Sequence, residues 1–544
     1  MLPGIRPFAF LLLASYASAD EATDIRRIVE SGALTDLRWS NFHDYQSHAL
    51  DFYEHNKFRP FWIEKGQPTN QARAVIDILG NAESKGLNSE DYDRSRWPAR
   101  IKKPGDAARF DVALTISLMR YLSDLHLGRQ NPGLYHADFD IDKERHDFCH
   151  IIRERLVGAR DVKAVIDSFE PPFEQYRRTE QALQIYRKLA EHDGEHVLTV
   201  PRKSIEPGGA YEDTPLVARI LKRAGDLAAD APDPERPNLY DKTLSEAVKK
   251  FQRRHGLEPD GKLGKGTIAQ LSVPLSQRVR QLELSLERWR WVPHEYSRPP
   301  IIVNIPEFLL TAFTDSLGIG LEMRVVVGKA QAHETPVFSG DLRTVVFHPY
   351  WNVPPSIQAK ELVPKIAKDR AYLGHNGYEV VNSRNEVVAS GEVDDATLKK
   401  LRAGQLALRQ TPGSGNALGP IKFLFPNDHN VYLHGTPAQA LFSRSRRDFS
   451  HGCVRLEKPA VLAEWVLQDK PQWTPARIAD AMRAAKTQEV ALGNPIPVLI
   501  VYATAVVRED GEIRFFDDIY GLDEDLKEAL ATSAGRGPGQ HVEN

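Results

Sequence analysis

Through the first part of the chain, apolar residues return every three or four places. Ala72, Val75, Ile76 and Leu79 keep that interval, as do Val112, Ala113, Ile116, Met119 and Leu122. Such spacing gathers side chains on one helix face, so residues 20–205 are expected to form a mainly helical scaffold. The aromatic stretch Phe58-Arg59-Pro60-Phe61-Trp62 reads as a turn within it. In residues 211–273, Leu244, Ala247, Val248 and Phe251 again make one apolar face, with Lys249, Lys250, Arg253 and Arg254 expected on the other side. A proline-rich linker at 231–237 interrupts this unit, the turn residues of 256–261 stop its helix, and 267–271 add a short second one.

From Gln277 onward the pattern changes. Val279, Leu282, Leu286 and Trp289 mark one more helix, and then β-branched and aromatic runs follow at 301–305, 323–328 and 343–347. A charged, helix-patterned insertion at 357–408 suits a lid over a site. Further strands are expected at 498–502 and 513–516, which gives a β-rich domain over 277–522. The polar stretch 523–544 reads as a flexible tail.

Composition adds boundaries rather than a function. The chain has 544 residues, 41% hydrophobic and 27% charged, with a net charge of −3. That balance gives no electrostatic argument for nucleic acid or an anionic membrane as partner. Residues 1–19 read as an export signal: Arg6, an apolar run at 8–14, and Ala17-Ser18-Ala19 before Asp20. The run is too short to span a bilayer, so the mature chain is expected to lack a transmembrane segment and to be periplasmic. Two cysteines, Cys149 and Cys453, cannot build a disulfide framework, although one bridge between them remains an alternative. His146, Cys149 and His150 lack a fourth ligand at metal spacing and read as helix-surface histidines beside a buried thiol.

The candidate chemistry lies near the C-terminus, in Tyr432-Leu433-His434-Gly435-Thr436 and Ser450-His451-Gly452-Cys453-Val454-Arg455. A thiol becomes a catalytic nucleophile when it has a base and oxyanion donors. Cys453 is the nucleophile candidate, and a neighbouring imidazole is expected to favour its thiolate at neutral pH. His434 can serve as base if the chain doubles back, with a backbone carbonyl holding its tautomer. His451, two places from Cys453, is the competing base or an orienting residue. Gly452 and Cys453 offer successive backbone N–H groups for an oxyanion. A zinc site from His434, His451 and Cys453 lacks a paired cysteine and an acidic base, so neither a metal nor a cofactor is called for.

These two segments resemble the signature of the L,D-transpeptidase (YkuD-type) catalytic domain. His348-Pro349-Tyr350-Trp351-Asn352 and Val327-Gly328-Lys329 are similar to it as well. Residues 247–267, from Ala247-Val248 through His255-Gly256-Leu257 and Asp260-Gly261 to Thr267, resemble the peptidoglycan-binding type 1 domain, a small three-helix bundle. Nearly the whole exported chain is similar to the large Gram-negative branch of that family. The implied fold class is multidomain α+β: a helical scaffold, a three-helix wall-binding module, and a β-rich catalytic domain with a helical lid.

The resemblance implies that Cys453 attacks the carbonyl at the L-centre of meso-diaminopimelate in a tetrapeptide stem and releases D-alanine. His434 is then the base, Gly452 supplies an oxyanion amide and His451 supports. Arg455, Tyr432, Trp351 and Gly435 bind substrate, although Arg455 stands where smaller members carry asparagine. A second stem as acceptor gives a 3→3 cross-link. Peptidoglycan stems are thus the expected partners, alongside other cell-wall enzymes, and a carbapenem should capture Cys453. Trimming or cross-link cleavage by the same chemistry is the alternative, and a non-catalytic wall-binding protein is a third reading.

Overall fold

The computed structural model describes residues 8–102, 106–139, 148–191, 194, 197–232, 236–316 and 318–533, excepting the side chains of 8–19, 148 and 533. Of the expected export signal, residues 1–7 lie outside this set, and the backbone from Phe8 to Ser31 is one helix. Among the described residues no helix is long and apolar enough to cross a membrane. His146, part of the 231–237 linker and residues 534–544 also lie outside it. The chain folds as two compact units, one of 1–255, 259–294 and 503–544, the other of 256–258 and 295–502.

In the first unit, Asp106 caps the helix Ala107–Leu127 (α1), its carboxylate accepting from the Arg109 N–H at 3.0 Å. α1 is buried on nearly every side, so its polar residues need partners. Asp111 accepts from the Tyr53 hydroxyl and the Trp62 N–H, each at 2.7 Å, and Thr115 Oγ1 accepts from the Trp62 indole at 2.9 Å. These bonds fasten the aromatic turn onto α1. Even so, burial pushes the Asp111 carboxyl up to about 6. Helix Glu174–Ala190 (α2) follows in the same unit.

The small module consists of Thr214–Ala224 (α3), Lys242–Arg254 (α4) and Lys265–Leu271 (α5) around Val217, Leu221, Val248, Phe251 and Ile268. Gln252 holds its turn, donating to Asp260 Oδ1 at 2.8 Å and accepting the Gly261 N–H at 2.8 Å. Arg254 departs from the expected solvated face. It is buried in an ion pair with Asp226 (2.5 Å), because the last turn of α4 rotates it inward.

Two expectations about boundaries differ from the structure. Helix Leu275–Trp291 (α6) belongs to the first unit, where Glu283 takes Arg187 of α2 at 2.7 Å. The stretch read as a flexible tail carries helix Leu522–Ser533 (α7), with Leu526 fully buried and Asp523 paired with Arg288 of α6. Its apolar positions are too sparse among acidic residues to announce a packed face. Both cysteines are free thiols; Cys149 is buried, its Sγ donating to the His48 carbonyl at 2.9 Å.

The second unit is a barrel. Its strands are Ile301–Asn304 (β1), Leu309–Phe313 (β2), Ile319–Gly328 (β3), Val337–Phe347 (β4), Ile421–Leu424 (β5), Leu433–His434 (β6), Asp448–Ser450 (β7), Val454–Leu456 (β8) and Gln488–Val501 (β9). Hydrogen-bonded order runs β5-β6-β8-β3-β2-β1-β9-β4, and β4 pairs back to β5, so the sheet closes. Closure removes free edges. Pairs β6–β8, β9–β1 and β7–β3 are parallel. In β2, buried and half-buried residues alternate, as one inward face requires.

The insertion has its own core, including Leu362, Ile366, Leu373, Val380, Leu398 and Leu408. It is mixed rather than purely helical. Helices Val363–Lys368 and Asp395–Arg402 lie with a four-stranded sheet of Val387–Ser390, Tyr378–Val381, Ala407–Gln410 and Trp351–Asn352. Gln358 ties these parts together, donating to the Leu401 and Leu406 carbonyls and accepting the Leu408 N–H at 2.8 Å.

Candidate active site

His434 ends β6, which lies between β5 and β8. Register places Lys422 of β5 opposite His434 on one side and Arg455 of β8 on the other. Partners in register share a face, so the imidazole stands between two cations. The Val454 N–H donates to the Tyr432 carbonyl at 3.2 Å, joining β6 to β8 one residue past Cys453. The chain therefore does double back and lays Cys453 alongside 432–434.

The imidazole is buried, and its Nδ1 lies 2.5 Å from the Gly435 carbonyl. A carbonyl only accepts, so Nδ1 carries the proton and Nε2 keeps its lone pair. Burial, then the neighbouring Arg455 charge, lowers the His434 pKa to about 3. Burial also raises the Cys453 thiol, against the opposing influence of neighbouring Tyr432 and the charges of Lys422 and Arg455, and the thiol donates to the Asn430 carbonyl at 3.8 Å. The resting pair is thus a neutral thiol and a neutral imidazole. Sequence suggests a thiolate; desolvation of the sulfur outweighs the neighbours that favour it.

The loop before Cys453 is pinned from β3. Ser450 Oγ donates to the Cys453 carbonyl at 2.6 Å and accepts the Gly452 N–H at 3.1 Å. Thr335 Oγ1 accepts the Gly328 N–H at 2.8 Å and donates to the Gly452 carbonyl at 2.7 Å. Gly452 holds φ at +107°, where a side chain is strained. At Gly328 a Cβ would fall 2.0 Å from the His333 carbonyl, so the close approach excludes any side chain. The expected oxyanion role of Gly452 meets a correction here, since its amide is already taken by Ser450. Among the described residues the Cys453 N–H makes no hydrogen bond.

Other expected residues divide in two. Tyr432 lies 5.6 Å from His434, ring to ring, and Cys453 and Trp351 both act on its phenol. Trp351 pairs with Gln410, just past the insertion. Arg455 is half-buried and makes no ion pair among the described residues. By contrast, His451 turns to the insertion, its Nε2 2.6 Å from Glu361 Oε1 and its ring 4.7 Å from that of His333. Gly435 is buried against Pro420, Pro459 and the Leu418 carbonyl, and what it offers is the acceptor that holds His434 rather than a substrate surface.

Residues 298–498 match the family model described as L,D-transpeptidase catalytic domain. This region is similar to L,D-transpeptidase catalytic domains. Residues 48–183 match "Scaffold domain" and 211–271 match "Putative peptidoglycan binding domain". A Haemophilus influenzae protein named "Putative L,D-transpeptidase" is 33% identical over 257 residues, 47% of this chain and 51% of that protein. The chain thus spans about half the length of the curated relative it matches. A solved L,D-transpeptidase (Yku) from Stackebrandtia nassauensis is 14% identical, covering 56% of this chain and 97% of its own, with a TM-score of 0.21. That likeness is too loose to place any residue.

In this domain, sequence reasoning missed Lys422, Thr335 and Glu361. Lys422 alternates with apolar Ile421 and Phe423, a period-2 signal that puts it on the face opposite theirs. Nothing local marks Thr335 or Glu361, because their partners, Gly452 and His451, are far along the chain.

Proposed function

We propose that this chain is a peptidoglycan L,D-transpeptidase forming 3→3 meso-diaminopimelate cross-links through a thioester on Cys453. The observation that supports the reading is the β6–β8 pairing, which brings Cys453 alongside Tyr432 and His434, with the His434 Nδ1 anchored on the Gly435 carbonyl. The Cys453 sulfur attacks the carbonyl at the L-centre of a donor stem, and His434 Nε2 takes its proton. The Cys453 N–H stabilises the resulting oxyanion. When the C–N bond breaks, the proton passes to the departing D-alanine amine and the thioester remains. The amine of an acceptor diaminopimelate then attacks the thioester, loses its proton through His434, and the thiol is restored. Tyr432, Trp351 and Arg455 position the donor, His451 joins the site to the insertion, and the insertion shields the thioester from water. The small module holds the enzyme on the wall, and residues 1–19 direct export to the periplasm.

The test incubates the protein lacking residues 1–19 with disaccharide-tetrapeptide and identifies products by mass spectrometry. Cross-linked dimers support the proposal. Tripeptide alone moves the activity to hydrolysis, and absence of turnover refutes both. A carbapenem should form a covalent adduct that Cys453→Ala abolishes.

A further inference from the structure

Lys422 is a half-buried cation that flanks His434. It points to the same face as His434, its direct register partner, and Arg455 occupies the next place in that row. Its Nζ lies 3.8 Å above the centre of the Tyr432 ring, and strand pairing sets Tyr432 alongside Cys453. Among the described residues it makes no ion pair. The acid that acts on it, Glu489 of β9, is separated from it in the sheet by Val346, which pairs with both. A cation–π contact stabilises the ammonium only partly after its loss of water. What this position lacks is a carboxylate.

A tetrapeptide donor carries one at the matching place. Its last residue bears a free carboxylate one residue beyond the scissile carbonyl, about 3.8 Å along the chain. Side chains paired across strands stand about 4.5–5.5 Å apart. With the scissile carbonyl over Cys453, that carboxylate comes within reach of the cations flanking His434. Lys422 is the one that rides on Tyr432, beside the sulfur.

We propose that Lys422 is a specificity residue that binds the terminal carboxylate of the donor stem, so that the site accepts stems ending one residue after the scissile bond. This rests on the transpeptidase reading. No bond is made or broken by Lys422; it contributes an ion pair to the donor and leaves the acceptor half-reaction untouched. A stem extended by a residue, or capped as an amide, loses that ion pair and leaves the ammonium uncompensated.

The experiment compares disaccharide-tetrapeptide with the same compound ending in D-alaninamide, for the wild type, Lys422→Met and Lys422→Arg. A third substrate amidated only at the distal carboxylate of diaminopimelate separates the two carboxylates of the stem. Wild type is expected to prefer the free terminus in kcat/KM, on the order of tenfold to a hundredfold, mostly through KM. Lys422→Met should lose that preference by losing far more of the free-acid turnover than of the amide turnover, and Lys422→Arg should regain part of it. Equal use of both termini by the wild type, retention of the preference by Lys422→Met, or equal loss of both substrates would overturn the inference. So would a Lys422-dependent preference that follows the diaminopimelate carboxylate instead. If the wild type turns over none of the three, the transpeptidase reading itself falls.

Discussion

His434 and Arg455 face each other across the parallel pair β6–β8, and the guanidinium adds to burial in keeping the imidazole uncharged. A base that is neutral at rest can take the Cys453 proton during attack, with no ion pair formed beforehand. The proposed catalytic pair is set by the barrel strands β6 and β8.

The rate of donor acylation should therefore show no acid limb near 6.5, the ordinary histidine value. Protonation of His434 waits until about 3. Stability gives the complementary signal. Between those values the unfolded chain binds a proton that the folded chain refuses, so the His434 contribution is lost as pH falls from about 6.5. Melting temperatures of wild type and His434→Gln against pH should differ by an amount that changes below that point and is flat above it. A flat difference throughout would remove the buried neutral imidazole from the account.

Cys453 should alkylate slowly at neutral pH. With burial raising its thiol above the usual range, iodoacetamide labelling is expected to climb only on the alkaline side of an ordinary cysteine. Peptide mapping separates it from Cys149, which is buried. Labelling of Cys453 that is already maximal at pH 7 would mean a preformed thiolate.

Thr335→Val removes the bond to the Gly452 carbonyl, one of those that pin the loop before Cys453, and the bond from the buried Gly328 N–H. Losing two such buried hydrogen bonds costs about 1–3 kcal/mol, readable in a denaturant titration. Activity should fall further than stability explains, on the order of tenfold to a hundredfold in kcat, because the loop that aims Cys453 is released. Unchanged kcat would show that Gly452 holds its place without this bond.

Asp226→Asn leaves Arg254 buried without its carboxylate. Removing one partner of a buried pair costs about 3–5 kcal/mol. The module should lose stability by that order while acylation of the catalytic domain by a carbapenem continues. A shift within experimental error would place the pair in contact with solvent.

Much of this was legible in the chain. The 3.6-residue period of α4 and the alternation in the strands announce the elements, and the His434 and Cys453 segments announce the chemistry. What could not be read is whatever depends on register and burial. Gly452 looks like an oxyanion donor until Ser450, two places away, is seen to claim its N–H. Gly435 looks like a substrate contact until its carbonyl is found holding His434. Arg254 and helix α7 were hidden for a similar reason. Their partners, Asp226 and Arg288, come together only through tertiary packing, and local patterns count a charged residue as solvated.

The central claim is the thioester, and intact mass spectrometry reads it directly. Protein mixed with disaccharide-tetrapeptide alone, without added acceptor, and quenched in acid should gain the mass of the donor less D-alanine. Peptide mapping should place the adduct on Cys453, and Cys453→Ser should lack the thioester. An adduct on another residue, or release of D-alanine by the Cys453→Ala variant at the wild-type rate, would contradict the account.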